Sequence, residues 1–372
     1  MLNIRLILLP IIILSLTGCK NHSEYKTYEP DFYSGGDIST LIKLEKNGAV
    51  FKDQGVEKDA IQIFKDHGMN SIRLRLFHTP NDSGPVCNSL PYTLEFAKRI
   101  KEKNMHFLLD FHYSDTWADP AKQYIPAAWE NLSYADLKDS VYQYTRNVIS
   151  AMKKQNTLPD LVQIGNEISN GMLWDTGRVG GEFDTNEQWN NFAGLVDAGI
   201  QGVKDDLEAG EKIKILIHFD EGSKQNRNKW FFDNLFSRGI DCDIICVSYY
   251  PMYHGSMDEL SSNLAFLANS YNKDIFVVET GYPWAVHPNW PLDPEKYQYP
   301  GTPEGQKAFL DDMMQIVKNV PGNHGKGLFY WAPEWIMTKD GGGRLTSPTF
   351  ARMALFDFEG NALPGMDAFR IK

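Results

Sequence analysis

Cysteine is scarce: four occur in 372 residues, at positions 19, 87, 242 and 246. Cys242 and Cys246 fall in an apolar run that reads as a strand, so they would share one face roughly 13 Å apart, beyond disulfide reach. No Cys or His spacing matches a disulfide framework or a zinc site, and the three thiols after position 19 read as buried free cysteines. Positive charge is also short. The 37 Lys and Arg face 48 Asp and Glu, for a formal charge of -11, which argues against a nucleic-acid partner. No Pro/Gly/Ser-rich linker divides the chain, and no 20–50-residue period repeats, which excludes a solenoid. No apolar run reaches the length of a membrane-spanning helix.

What is present starts at the N-terminus. Arg5 and the apolar stretch 6–16 have the form of a secretory leader. Leu16-Thr17-Gly18-Cys19 resembles the lipobox of bacterial lipoproteins, in which the cysteine carries lipid. Residues 1–18 are expected to be the signal, 19–30 a polar tether, and 31–372 one folded domain. A lipid on Cys19 would hold that domain to a membrane without spanning it. Lys20 does not resemble an inner-membrane retention signal, so the outer membrane or cell surface of a bacterium is expected.

The full chain is 42% hydrophobic and rich in aromatics, with 9 Trp, 17 Tyr and 21 Phe. Its recurring pattern is a β-rich apolar run with polar residues at its end, followed by an amphipathic helical segment. Strands are predicted at 35–39, 71–77, 105–112, 161–164, 213–218, 244–249, 275–279 and 327–331. Helices are predicted at 59–68, 92–104, 132–155, 187–207, 225–238, 257–271 and 302–320, with the C-terminal segment closing the ring. Eight strands alternating with helices imply a single-domain (β/α)8 TIM barrel. The loops after strands three, four, seven and eight are long and would build an extended groove on one face.

In such a barrel the C-terminal strand tips carry the chemistry. The fourth strand runs Leu161-Val162-Gln163-Ile164 and breaks at Gly165 into Asn166-Glu167. The seventh runs Ile275-Phe276-Val277-Val278 into Glu279-Thr280-Gly281. Two glutamates at two strand tips would face each other across the barrel mouth. Glycoside hydrolysis needs such a pair: one carboxyl protonated to serve the leaving oxygen, the other ionised to attack the anomeric carbon. Arg75 at the end of strand two would hold one carboxylate ionised, with Arg73 on the same side as the alternative. Tyr249, ending strand six, would hydrogen-bond the nucleophile, and Trp331, ending strand eight, would floor a sugar ring. His112 and His218 end strands three and five and are expected to contact the substrate. No His/Asp/Glu spacing matches a catalytic metal triad.

The strand-three segment Asp110-Phe111-His112-Tyr113-Ser114-Asp115-Thr116-Trp117-Ala118-Asp119-Pro120 resembles the signature of glycoside hydrolase family 53, the endo-β-1,4-galactanases. The resemblance extends through Gly36-Asp37-Ile38-Ser39, Arg73-Leu74-Arg75, Gln163-Ile164-Gly165-Asn166-Glu167-Ile168, Ser248-Tyr249-Tyr250-Pro251, Val278-Glu279-Thr280-Gly281-Tyr282-Pro283-Trp284 and Trp331-Ala332-Pro333-Glu334-Trp335. It implies a retaining hydrolase of β-1,4-galactan, with Glu167 as acid/base and Glu279 as nucleophile. Asn166 would meet the 2-hydroxyl of the sugar being cleaved, Asp115 and Trp117 would line the groove, and Trp331 would be the platform beneath that sugar. Some bacterial members hold calcium with an Asp-x-Asp-x-His-x-Asn run in the loops after strands seven and eight. The stretch 284–291 has no such run, which argues against calcium, and no other cofactor is implied. A monomer is expected. The rival readings are another endo-glycanase of the same clan, a mannanase or cellulase, or a glycan-binding lipoprotein that has lost catalysis.

Overall fold

The computed structural model describes residues 29–287, 291–338 and 346–370. The expected signal, the lipidation site Cys19 and most of the tether lie outside the described residues.

Eight parallel strands close into a barrel: β1 (Tyr33–Asp37), β2 (Ser71–Leu76), β3 (His106–Phe111), β4 (Leu161–Ile164), β5 (Lys214–Phe219), β6 (Ile244–Tyr249), β7 (Asp274–Thr280) and β8 (Gly325–Trp331). The helices between them are α1 (Leu41–Lys46), α2 (Ala60–Asp66), α3 (Leu90–Glu102), α4 (Tyr134–Lys154), α5 (Asn186–Lys204), α6 (Gln225–Phe236), α7 (Pro251–His254), α8 (Met257–Tyr271), α9 (Pro303–Lys318) and α10 (Pro348–Ala351). Side-chain caps fix several helix starts. The Asp59 carboxylate accepts from Gln62 N, Ser133 from Asp136 N, and Ser256 forms a reciprocal capping box with Glu259. The short helices α1 and α7, and two-stranded hairpins at Lys52–Asp53/Val56–Glu57 and Gly171–Met172/Gly177–Arg178, are additions to the expected pattern.

The C-terminal segment does not close the ring as expected. Pairing of β1 with β8 does that, from Tyr33 opposite Gly327 to Asp37 opposite Trp331. The segment instead covers the N-terminal end of the barrel, where Phe369 O accepts from Ser34 Oγ at 3.3 Å. Gly68 is needed there, since a Cβ on it would lie 2.6 Å from the Arg370 backbone and its φ is +98°. Cys242 precedes β6 rather than lying on it, and Cys87, Cys242 and Cys246 are free and buried.

The interior is layered by strand parity. Leu108, Leu161, Leu216 and Cys246 pack inside the barrel. Two residues further along each strand the inward positions turn polar: Asp110, Gln163, His218 and Ser248, all fully buried. Asp37 on β1 and Arg73 on β2 join this layer. The last member needs an irregularity. Val247 pairs with Val277 but Ser248 pairs with Glu279, which leaves Val278 as the extra residue of a bulge. Phe276 and Val278 both point inward, so regular alternation would turn Glu279 out; the bulge re-aims it into the barrel.

Candidate active site

Arg73 is at the centre of the polar layer and is 1% exposed. Its Nη1 donates to Asp37 Oδ2 at 2.9 Å and lies 2.8 Å from Glu279 Oε1. Its Nη2 donates to Asp110 Oδ2 and to Asn166 Oδ1, each at 2.8 Å. One guanidinium therefore holds three carboxylates and the side chain beside Glu167. Arg75, the arginine favoured from sequence, does not reach Glu279. It donates to Asp37 Oδ1 and Thr40 Oγ1, and its guanidinium lies 4.5 Å from the ring centre of Trp117. Parity puts both arginines inside, and only depth along β2 separates them. The deeper one meets Glu279, while the shallower one braces an aromatic wall.

The tip of β4 is a tight turn. Gly165 has φ +82° and Glu167 has φ +47°, a left-handed conformation that costs a non-glycine residue free energy. Neighbours hold it: Gln123 Nε2 donates to Asn166 O at 2.8 Å, and Ile168 N donates to His218 O at 3.0 Å. Asn166 Nδ2 spends one hydrogen on Ala118 O at 2.9 Å, which leaves its second for a ligand. Glu167 Oε1 accepts from Ser248 Oγ at 2.8 Å, and Ser248 Oγ lies 2.9 Å from His218 Nε2. Burial, then the positive charge of Arg73, pushes His218 well below the ordinary histidine range, so it is neutral. It lies beneath the groove as an orienting group.

Tyr249 was expected to bond the nucleophile and does not. Its ring stacks on Phe309 at 6.5 Å, and its hydroxyl donates to Gly255 O at 2.9 Å. Tyr250 takes that place, donating to Glu279 Oε2 at 3.2 Å. The signal was in the sequence: Cys246, Ser248 and Tyr250 share the inward parity, and Tyr249 belongs to the outward set.

Glu167, Glu279, Asn166, His112, Trp117, Trp331 and both arginines line one groove of about 1320 Å³. His112 accepts from Ala118 N at Nδ1 and contacts Asp110 through Nε2, fixing the strand-three loop to the polar layer. Asp115 does not line the groove. Its carboxylate caps the backbone of Thr79 and Ala127, so it shapes the loop that carries Trp117. One wall is aromatic: Trp331 packs against Trp117 at 6.3 Å, Trp335 at 4.8 Å and Phe350 at 5.5 Å. Among the described residues, no group of three His, Cys, Asp or Glu side chains could hold a metal ion. Residues 288–290, within the stretch compared with the calcium loop, lie outside the described residues.

The two glutamates differ electrically. Burial first, then the charges of Glu279 and Asp220, pushes the Glu167 carboxyl well above the carboxylate range, against the opposing Ser248 bond. Burial raises Glu279 too, but the Arg73 guanidinium opposes it directly. Arg73 and Arg75 already face Asp37, Asp110 and Glu279, so a fourth negative charge at Glu167 is disfavoured. Of the pair, Glu167 keeps its proton to higher pH.

A half-buried glutamate and an arginine-held carboxylate at the tips of β4 and β7 are the kind of pair that glycoside hydrolysis needs. The family model of glycosyl hydrolase family 53 matches residues 33–369. This chain belongs to that family. It is 44% identical over 92% of its length to an uncharacterised Niallia circulans protein from the bgaB 5′ region, covering 94% of that protein. It is 34% identical to the arabinogalactan endo-β-1,4-galactanase of Thermothelomyces thermophilus, over 91% of this chain and 98% of that one. Among solved structures, a family 53 catalytic domain from Ignisphaera aggregans superposes with a TM-score of 0.82 at 36% identity, covering 97% of this chain and 99% of that one.

Two outcomes follow for this family 53 site. Tyr250→Phe, which removes a hydrogen bond to Glu279, lowers kcat by about 10²-fold, whereas Tyr249→Phe leaves it unchanged; steady-state kinetics on both variants checks this. Ser248→Ala removes a bond that favours ionised Glu167, so its pKa rises. With Glu167 as the expected proton donor, activity is lost as pH rises through that pKa, so the alkaline limb of kcat/KM moves to higher pH in the variant.

Proposed function

We propose that this chain is a retaining endo-β-1,4-galactanase acting on the β-1,4-galactan of pectic arabinogalactan. The observation that carries the reading is the asymmetric pair: Glu167 in a half-buried, charge-crowded turn and Glu279 on the Arg73 guanidinium. The named activity of the family 53 relatives supplies the substrate class.

In the first step, a Glu279 oxygen attacks C1 of the sugar above it while Glu167 delivers its proton to the glycosidic oxygen. The bond to the leaving chain breaks and a glycosyl ester forms on Glu279. Glu167, now ionised, takes a proton from water; that water attacks C1 and releases Glu279 as carboxylate. Ester formation removes the charge at Glu279, so the cost of ionising Glu167 falls at the step where it must act as base. Asn166 presents its free N–H to the 2-hydroxyl, and Trp331 supports the ring from below. Tyr250 holds Glu279 in the attacking orientation.

The reading extends to the chain's location. Leu16-Thr17-Gly18-Cys19 supports lipid attachment at Cys19, with residues 1–18 removed and the barrel tethered at the outer membrane or cell surface. The enzyme works as a monomer without a cofactor.

Glu279→Ala loses reducing-sugar release from β-1,4-galactan by orders of magnitude, and the wild-type products first appear as the β anomer by NMR. Near-wild-type release by the variant, or initial α-anomer products, contradicts the assignment.

A further inference from the structure

A second cavity of about 330 Å³ lies beside the groove, between the loops that follow β6 and β7. Its size is at the lower end of small-molecule sites, enough for one sugar and too small for a chain. It is joined to the groove: Met252, Tyr253 and Lys296 line both. Tyr253 is 76% exposed, so a large aromatic ring stands at the junction with little protein against it.

The cavity has the chemistry of a sugar site. Behind it Tyr249, Phe309 and Tyr282 stack on one another and are buried, so they close the cavity, and the ring that a sugar meets is the exposed Tyr253 at the junction. Its outer edge carries Lys224, Ser256, Glu295 and Gln298, which supply donors, acceptors and charges of both signs. That mixture suits a neutral, hydroxyl-rich ligand rather than an ion. Neither Glu167 nor Glu279 lines it, so a sugar held there is not cleaved.

We propose that this cavity binds a single arabinosyl branch of a galactan chain lying in the groove. The proposal rests on the galactanase reading and adds what that reading lacks: a place for the substituent that the relatives' substrate name, arabinogalactan, carries. A backbone sugar near Tyr253 turns its branch over the Met252–Tyr253 edge into the cavity. Decorated galactan is then cut without prior removal of arabinose.

The test compares linear galactan with arabinose-branched galactan for the wild type and for Gln298→Trp. Gln298 is exposed and lines only this cavity, so the new ring fills the cavity and leaves the groove intact. The expected result is unchanged kcat/KM on linear galactan and a loss of about tenfold or more on branched galactan. Pretreating the branched substrate with an arabinofuranosidase abolishes the difference. An equal branched-to-linear ratio in wild type and variant, or a wild-type limit digest free of arabinose-bearing oligosaccharides, overturns the pocket while the galactanase reading stands. Failure of the wild type to cut linear galactan overturns both.

Discussion

The guanidinium of Arg73 is the constraint on which the site depends. It is buried in the barrel, and its two Nη groups are held by Asp37, Asp110, Asn166 and Glu279. Breaking a buried ion network by removing one partner costs about 3–5 kcal/mol, because the remaining charges keep their desolvation penalty. Here the remainder would be three buried carboxylates with Arg75, on Asp37, as their paired arginine. The same cation therefore keeps the barrel mouth intact and keeps Glu279 available as an anion. It also fixes Asn166, and through the Gly165–Glu167 turn it fixes the position of the acid. Stability and catalysis draw on one set of contacts, with the apolar layer of Leu108, Leu161 and Leu216 beneath holding the strands in register.

The division of labour between the glutamates follows from where each backbone turns. Glu279 enters the barrel because Val278 is an unpaired bulge residue, which brings its carboxylate onto Arg73. Glu167 sits past the end of its strand in a left-handed turn, where it has a serine and, among the described residues, no ion-paired cation. Identical side chains acquire different electrostatic surroundings from local chain geometry, and on the proposed reading their coupling lets the protonation of one follow the charge of the other.

Much of this was legible in the sequence. Apolar runs ending in polar residues located β3 to β8, because parallel strands buried on both faces read as continuous hydrophobic stretches; β2 alternates apolar residues with Arg73 and Arg75, and β1, expected at 35–39, runs Tyr33–Asp37. The two glutamates stood out because glycine follows Glu279 and precedes Asn166-Glu167. What sequence alone missed has specific causes. Tyr250 lies one residue past the apparent end of β6, and only inward parity with Cys246 and Ser248 identifies it. Choosing between Arg73 and Arg75 required the stagger of neighbouring strands, which no local pattern encodes. Asp115 belongs to a specific motif yet caps loop backbone, since a motif fixes a loop's shape as well as its contacts with ligand. The cavity beside the groove is assembled from four separate segments and has no contiguous signature.

The central claim is that Glu279 is the nucleophile and Glu167 the proton carrier. Trapping tests it most directly: incubate the wild-type enzyme with a 2-deoxy-2-fluoro-β-galactobiosyl fluoride, digest with protease and map the modified peptide by mass spectrometry. The account predicts one stoichiometric label, on Glu279, formed also in Glu167→Gln because fluoride leaves without a proton. A label on Glu167, or an enzyme that turns the reagent over without any covalent adduct, contradicts it.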